Sequence, residues 1–320
     1  CEAPGYDAYM PRGIRQRLDA RISWSDRLMA SLDERAVVLQ TPQGPVQVAR
    51  EGQGPVVLVA HGGPGGFDQG LAVYRHLRDG GCEVVAPSRP GYLRTPLGSG
   101  PRPQDQADLY AAILDALDIE RATILGHSSG GPSAVLFAAR HPDRTTALLL
   151  DAAILRSFAT PFSALERATL DSGILVRISY ELARRWPARM TSYAVGGMSA
   201  GLTREQRRAA VEWITSDRSR LQRMQQVLTS VAPLEYRKPG WANDQANEAS
   251  LPPLPLAHVE APTLIAHGAS DRNIPVEHAT DAADAIAAAE LVIVEEGHHA
   301  LSLSRSYGPV ADRQVELAHG

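Results

Sequence analysis

Cysteine is nearly absent from this 320-residue chain: there are two, Cys1 and Cys82. Two residues so far apart give neither a disulfide framework nor the close spacing of a metal site. Cys82 opens an apolar run, and a buried free thiol is the expected state there. No apolar stretch approaches the roughly 18 residues that read as a membrane-crossing helix. Blocks of like charge are missing too, because basic and acidic residues alternate along the chain as on a solvated surface. A net charge of -4 and a pI near 6.2 leave no strongly basic face for nucleic acid. No internal repeat or low-complexity tract is present. The first residue is not Met, and two readings stay open: a trimmed start, or a mature exported protein whose signal peptide was cut before a cysteine able to carry lipid. Cytoplasmic and exported locations, and the oligomeric state, are left open as well.

What is present is a regular alternation. Residues 1–35, with Arg12, Arg15, Arg17, Arg21 and Arg27, read as an N-terminal extension. From residue 36, Ala36–Leu39 and Val46–Ala49 flank Pro42-Gln43-Gly44-Pro45 as a β-hairpin. Val56–Ala60 is a β-branched-rich run suited to a strand buried on both faces. Leu71–Asp79 reads as a helix stopped by Gly80-Gly81, and Glu83–Ala86 as a strand. Gln104–Asp118 places Tyr110, Ile113, Leu114 and Leu117 on one helical face. Ala122–Leu125, Thr146–Leu150, Pro262–Ala266 and Leu291–Val294 read as strands. Ser129–Arg140, Val276–Ala289 and Gly308–Ala318 read as helices. Such alternation predicts an α/β fold, a mostly parallel sheet covered on both faces. Residues 152–256 break the rhythm. They carry helical patterns at Ala164–Leu170, Ile174–Trp186, Thr203–Ser216 and Arg218–Val231, and read as a helical cap inserted into a core formed by 36–151 and 257–320.

Three loops carry chemistry. Gly126-His127-Ser128-Ser129-Gly130 is a G-x-S-x-G sequence between a strand and a helix, the setting of a nucleophile elbow. The turn is tight, so the residues two before and two after Ser128 must be small, and both are glycine. Pro132 falls in the helix's first turn, where its missing N–H costs little. His61-Gly62-Gly63-Pro64-Gly65-Gly66 follows the strand Val56–Ala60. It suits an oxyanion hole, in which backbone N–H groups aim at the negative oxygen of acyl transfer. Gly63 is expected to supply one N–H and Ser129, next after the nucleophile, the other. His61 reads as a brace for its own loop. A serine hydroxyl needs a neighbouring base, and in this chain order the acid precedes the histidine. Asp271 follows the strand Pro262–Ala266 and is the expected acid. Asp151, at the end of Thr146–Leu150, is the rival, with capping of the first cap helix as its other role. After the last strand come Gly297, His298 and His299. His298, directly after the glycine, is expected to be the base and His299 a structural neighbour. The pair does not read as a metal site, since adjacent side chains diverge and no third ligand is suitably spaced.

These motifs resemble the α/β-hydrolase superfamily over residues 36–320. That resemblance implies an α/β-hydrolase fold with eight strands, the second antiparallel, and a helical cap after the sixth. The HGGPGG loop is similar to that of the proline iminopeptidase branch, whose members remove N-terminal residues from small peptides. The chain departs from that branch at its elbow, GHSSGG in place of GGSWGS. It also carries Ser88-Arg89-Pro90-Gly91-Tyr92-Leu93-Arg94-Thr95 where the branch has DQRGxGxS. The elbow is closer to general esterases and carbon–carbon bond hydrolases. The leading expectation is a serine hydrolase of small or medium acyl esters, acting on a small-molecule substrate without metal or organic cofactor. An iminopeptidase-like aminopeptidase is the alternative; Glu166, Glu181, Glu205 and Glu212 of the cap are then candidates to hold the substrate amine. A non-catalytic binding protein on the same fold is a third reading, which a missing triad member would favour.

Overall fold

The computed structural model describes residues 23–287 and 289–320. The expectations for Cys1 and for Arg12, Arg15, Arg17 and Arg21 lie outside the described residues. The eight strands are β1 (Val37–Thr41), β2 (Gly44–Gly52), β3 (Val56–Ala60), β4 (Glu83–Pro87), β5 (Ala122–His127), β6 (Thr145–Asp151), β7 (Thr263–Gly268) and β8 (Ala289–Val294). They form one sheet in the order β1-β2-β4-β3-β5-β6-β7-β8. β2 runs antiparallel to both β1 and β4, and the other pairings are parallel. The hairpin closes where Thr41 pairs with Gly44, and Gly44 has φ 123°, in the region only glycine enters easily. β5 is buried along its whole length and β3 along all but its first residue, as their apolar runs require.

Helices cover both faces. α1 is Trp24–Asp33, α2 Phe67–Val73, α3 Arg75–Asp79, α4 Pro103–Ala116 and α5 Gly131–Arg140. The single helix expected over Leu71–Asp79 is thus two short ones, divided at Tyr74, which leaves helical geometry at φ -105° and ψ 25°. Tyr110, Ile113 and Leu114 of α4 pack with Val135 and Phe137 of α5 against β3, β5 and β6. Leu71, Tyr74 and Leu77 pack on the opposite face with Val57, Val59 and Leu125. Cys82 is a buried free thiol just before β4.

Between β6 and β7 the chain leaves the sheet. It forms α6 (Ala164–Asp171), α7 (Gly173–Arg185), α8 (Pro187–Met198), α9 (Arg204–Thr215), α10 (Arg218–Thr229) and α11 (Lys238–Ala249). This is the helical cap. Sequence patterning located four of these helices and missed α8 and α11. Both begin with proline within the first turn and carry glycine, which masks their helical period. α12 (Glu277–Ala285) and α13 (Gly308–His319) complete the core.

Candidate functional site

The C-terminal ends of β3, β5, β7 and β8 deliver four loops to one rim of the sheet. At the end of β5, Ser128 has φ 51°, a left-handed conformation that a non-glycine residue adopts only under constraint. Sterics explain its neighbours. A Cβ on Gly126 would come within 2.7 Å of the Ala134 Cβ, and one on Gly130 within 2.1 Å of the Ala60 carbonyl oxygen. Only glycine at both places lets α5 start so close to β3 and β5. The turn lifts the Ser128 hydroxyl out of the sheet and into the space beneath the cap.

His299 Nε2 lies 3.1 Å from Ser128 Oγ, and His299 Nδ1 lies 2.8 Å from Asp271 Oδ2. This corrects the expectation for His298. The His298 ring is fully buried, and neither of its nitrogens has a hydrogen-bond partner among the described residues. Burial pulls it from 6.5 to about 4, so it is neutral at ordinary pH. The reason lies in how the loop after β8 is held. Gly297 N–H closes a turn onto Val294 O (3.0 Å) across Glu296, which has φ 56°. Gly297 then packs directly on Gly268, where a Cβ would meet the Gly297 carbonyl oxygen at 2.4 Å. Gly297 O accepts from Ser270 N–H, and His299 N–H donates to Met198 O at the end of α8 (3.3 Å). Residue 299 is therefore drawn into the seam between sheet and cap, and its neighbour points the other way. Which of two adjacent histidines reaches the serine depends on a contact with the cap, some hundred residues earlier in the chain.

Asp271, the residue expected as the acid, lies on the side of the His299 ring away from Ser128. Its Oδ1 accepts from the Asn273 and Ile274 N–H groups (2.7 and 3.1 Å), leaving Oδ2 for His299. Burial pushes this carboxyl up, but the facing His299 and the backbone donors outweigh it and hold it below the usual carboxylate range. With Nδ1–H of His299 donated to Asp271, Nε2 is free to accept the serine proton. Asp151, the rival acid, is turned away. It accepts from Tyr307 Oη (2.6 Å) and Gln314 Nε2 (2.8 Å), and burial raises it to about 6. It caps no cap helix; α6 is capped by Ser163.

The oxyanion loop lies opposite. Gly62 approaches Ser128 so closely that a Cβ there would meet the Ser128 Cβ at 3.0 Å. Gly63 faces Trp241 of α11, whose ring lies 2.7 Å from where a Cβ would sit. His61 braces the loop, as expected. Its ring donates from Nδ1 to Gly62 O (2.7 Å) and accepts the Arg89 N–H at Nε2 (2.9 Å). Burial, reinforced by the Arg89 charge, holds His61 well below its ordinary value and so neutral. Sequence reading missed what stands behind it. Arg89 is fully buried and forks onto Asp244 of α11 (2.8 and 2.6 Å), which also accepts from Tyr92 Oη (2.5 Å). The departure of Ser88–Thr95 from the resembled motif was the only signal at hand.

A cavity of about 320 Å³ opens above Ser128 and His299. Its walls include Phe162, Met190, Met198, Val227, Leu228 and Val231, all from the cap. Glu166 is the one acidic residue among the described lining residues, and Arg272 pairs with it at 3.0 Å. Burial opposes ionisation of Glu166, but its bonds with Ser163 and the Arg272 charge hold the carboxyl below its usual range. Glu181, Glu205 and Glu212 do not line this cavity. No group of three or more His, Cys, Asp or Glu among the described residues is arranged to hold a metal ion. No helix among them is long and apolar enough to cross a membrane.

Comparison with known proteins adds the family. A model of the alpha/beta hydrolase fold matches residues 55–304. An alpha/beta hydrolase fold protein from Nakamurella multipartita is 36% identical and superposes with a TM-score of 0.84, over 89% of this chain and 100% of that one. A thermophilic esterase from Thermogutta terrifontis shares the fold at 21% identity and TM-score 0.61, over 89% of this chain and 99% of that one. Among curated proteins, an uncharacterized hydrolase of Bacillus subtilis (strain 168) is 34% identical over 118 residues, 37% of this chain and 41% of that protein. A 2-hydroxy-6-oxo-6-phenylhexa-2,4-dienoate hydrolase of Burkholderia cepacia is 32% identical over 104 residues, 31% of this chain and 36% of that protein. The chain thus spans well under half the length of these two curated relatives.

Proposed function

The chain belongs to the α/β-hydrolase fold family, and on that premise we propose that it is a serine hydrolase of carboxylic esters with a small or medium acyl group. The reading rests on one observation, the chain of hydrogen bonds from Ser128 through His299 to Asp271 at 3.1 and 2.8 Å. Ser128 Oγ attacks the ester carbonyl while His299 Nε2 takes its proton. Asp271 holds the imidazole in the required tautomer and stabilises the imidazolium that forms. The N–H groups of Gly63 and Ser129 receive the oxyanion. His299 then protonates the departing alcohol, and an acyl-enzyme on Ser128 remains. Water enters, His299 deprotonates it, and the second tetrahedral intermediate collapses to acid and free Ser128. These steps call on no metal or organic cofactor.

The apolar cavity supports an uncharged acyl chain. An aminopeptidase needs a free anion to hold the substrate ammonium, and the Glu166 carboxylate is already engaged by Arg272. The ester reading therefore precedes the iminopeptidase-like one. Ser128→Ala is expected to lower p-nitrophenyl ester turnover by about 10⁴-fold or more with an unchanged circular dichroism spectrum. Retained turnover in that variant refutes the assignment. Faster cleavage of a proline naphthylamide than of a naphthyl ester by the unaltered protein reverses the order of the two readings.

A further inference from the structure

One face of α11 presses on both sides of the oxyanion hole. Trp241, Asp244 and Glu248 lie at helical spacing along it. Trp241 backs Gly63, and Asp244 grips Arg89 and Tyr92, which lock His61 and through it the Gly62 carbonyl. The third residue, Glu248, reaches the other side. It lines a cavity of about 10 Å³ together with Ser129, near the least space that admits one water. Glu248 is 3% exposed, and its Oε1 has no hydrogen-bond partner among the described residues, while Oε2 accepts from Gln245 Nε2 (3.2 Å). A buried carboxyl oxygen left unpaired destabilises a fold, and the molecule keeps this one beside the peptide that follows the nucleophile.

We propose that Glu248 is the positioning residue of the oxyanion hole: its buried carboxyl hydrogen-bonds the Ser129 hydroxyl, directly or through one water, and so fixes the Ser129 N–H. This rests on the hydrolase reading above. The titratable and charged groups facing Glu248 are Asp244 on its own helix, and Arg89 and Tyr92 from the segment after β4. Gln106 of α4, Ser129, Ser133 of α5 and Asn247 of α11 also line this cavity and carry no charge. Burial, with the Asp244 carboxylate beside it, outweighs the Ser129 hydroxyl and the Arg89 charge, which favour the carboxylate, and pushes the Glu248 carboxyl up to about 8. It is protonated at neutral pH, and above that value it carries a negative charge next to the site where the oxyanion forms. Ionisation then repels the transition state.

The test is kcat against pH for p-nitrophenyl acetate, from about pH 6 to about pH 10, in the unaltered protein and in E248Q. Glutamine keeps the shape and a donor but cannot ionise. The unaltered protein is expected to lose about tenfold in kcat as pH rises through 8 with KM steady, and E248Q to remain flat. Glu248→Ala and Ser129→Ala should each lower kcat at neutral pH by about tenfold, and the double variant no further. An unaltered protein with no alkaline fall, an E248Q that shares it, or additive losses in the double variant overturns the proposal. If Glu248→Ala fails to fold, E248Q alone decides. Labelling by a fluorophosphonate separates the two failures. An unlabelled, inactive parent protein sinks the hydrolase reading, whereas a labelled, active one with a flat profile sinks only the role of Glu248.

Discussion

Adjacent histidines make the sharpest prediction. The His299 ring hydrogen-bonds both Ser128 and Asp271, and the His298 ring hydrogen-bonds neither. Replacing His299 by alanine removes the proton acceptor from the attack step, and kcat for a p-nitrophenyl ester is expected to fall by about 10⁴-fold or more, roughly 5.5 kcal/mol of lost transition-state stabilisation. Fluorophosphonate labelling of Ser128 should slow in proportion. His298→Leu should leave kcat within about threefold of the parent, because the chemistry never uses that ring.

The same leucine variant makes a separate prediction about stability. His298 sits at about 4 in the fold and at 6.5 in the unfolded chain. Its folded value is depressed, so above 6.5 it costs the fold nothing by titration. As pH falls from 6.5 towards 4, the unfolded chain gains a proton that the folded one cannot accept, and stability is lost. The gap of about 2.5 pH units corresponds to roughly 3 kcal/mol at the acid end. His298→Leu abolishes this loss and removes two unpaired buried nitrogens. Urea melts should therefore show the leucine variant at least as stable as the parent at pH 7, and more stable by about 2–3 kcal/mol at pH 4.5. An inactive, folded His298→Leu protein beside an active His299→Ala protein refutes this assignment of the two rings. Equal loss of stability by parent and variant on acidification refutes the burial argument.

Two further perturbations probe what holds the site in place. Gly130→Ala places a methyl group 2.1 Å from the Ala60 carbonyl oxygen, in a central strand that cannot retreat. Loss of at least about 3 kcal/mol in a urea melt is expected, or failure to accumulate folded protein; a stable, active variant contradicts the packing of the elbow on β3. Arg89→Met leaves the Asp244 carboxylate buried without its cation. The expected loss is about 3–5 kcal/mol, largely recovered when Asp244→Leu is added; no recovery in the double variant denies the coupling of core and cap through this pair.

The eight strands, their alternation with helices and the loops that bring Ser128 and Asp271 to one rim were legible in the sequence, and for local reasons. A strand buried on both faces must be a short apolar run, and Val56–Ala60 is one. A left-handed serine between two packed elements demands glycine at 126 and 130, and the pentapeptide displays both. Asp271 follows its strand by a fixed short loop, so strand position carried it to the rim. The position directly after Gly297 pointed to His298, and the fold brings His299 to Ser128 instead. One residue of register separates a catalytic candidate from a neutral filler, and register was set by the Gly268–Gly297 contact and by the bond from His299 N–H to Met198 O. Chain order could not pair Arg89 with Asp244, or bring Glu248 to Ser129, because each pair joins segments more than a hundred residues apart. Local sterics act between neighbours along the chain and leave their mark in the sequence. The packing of the cap on the sheet acts across space, and only the folded molecule records which side chains it brings together.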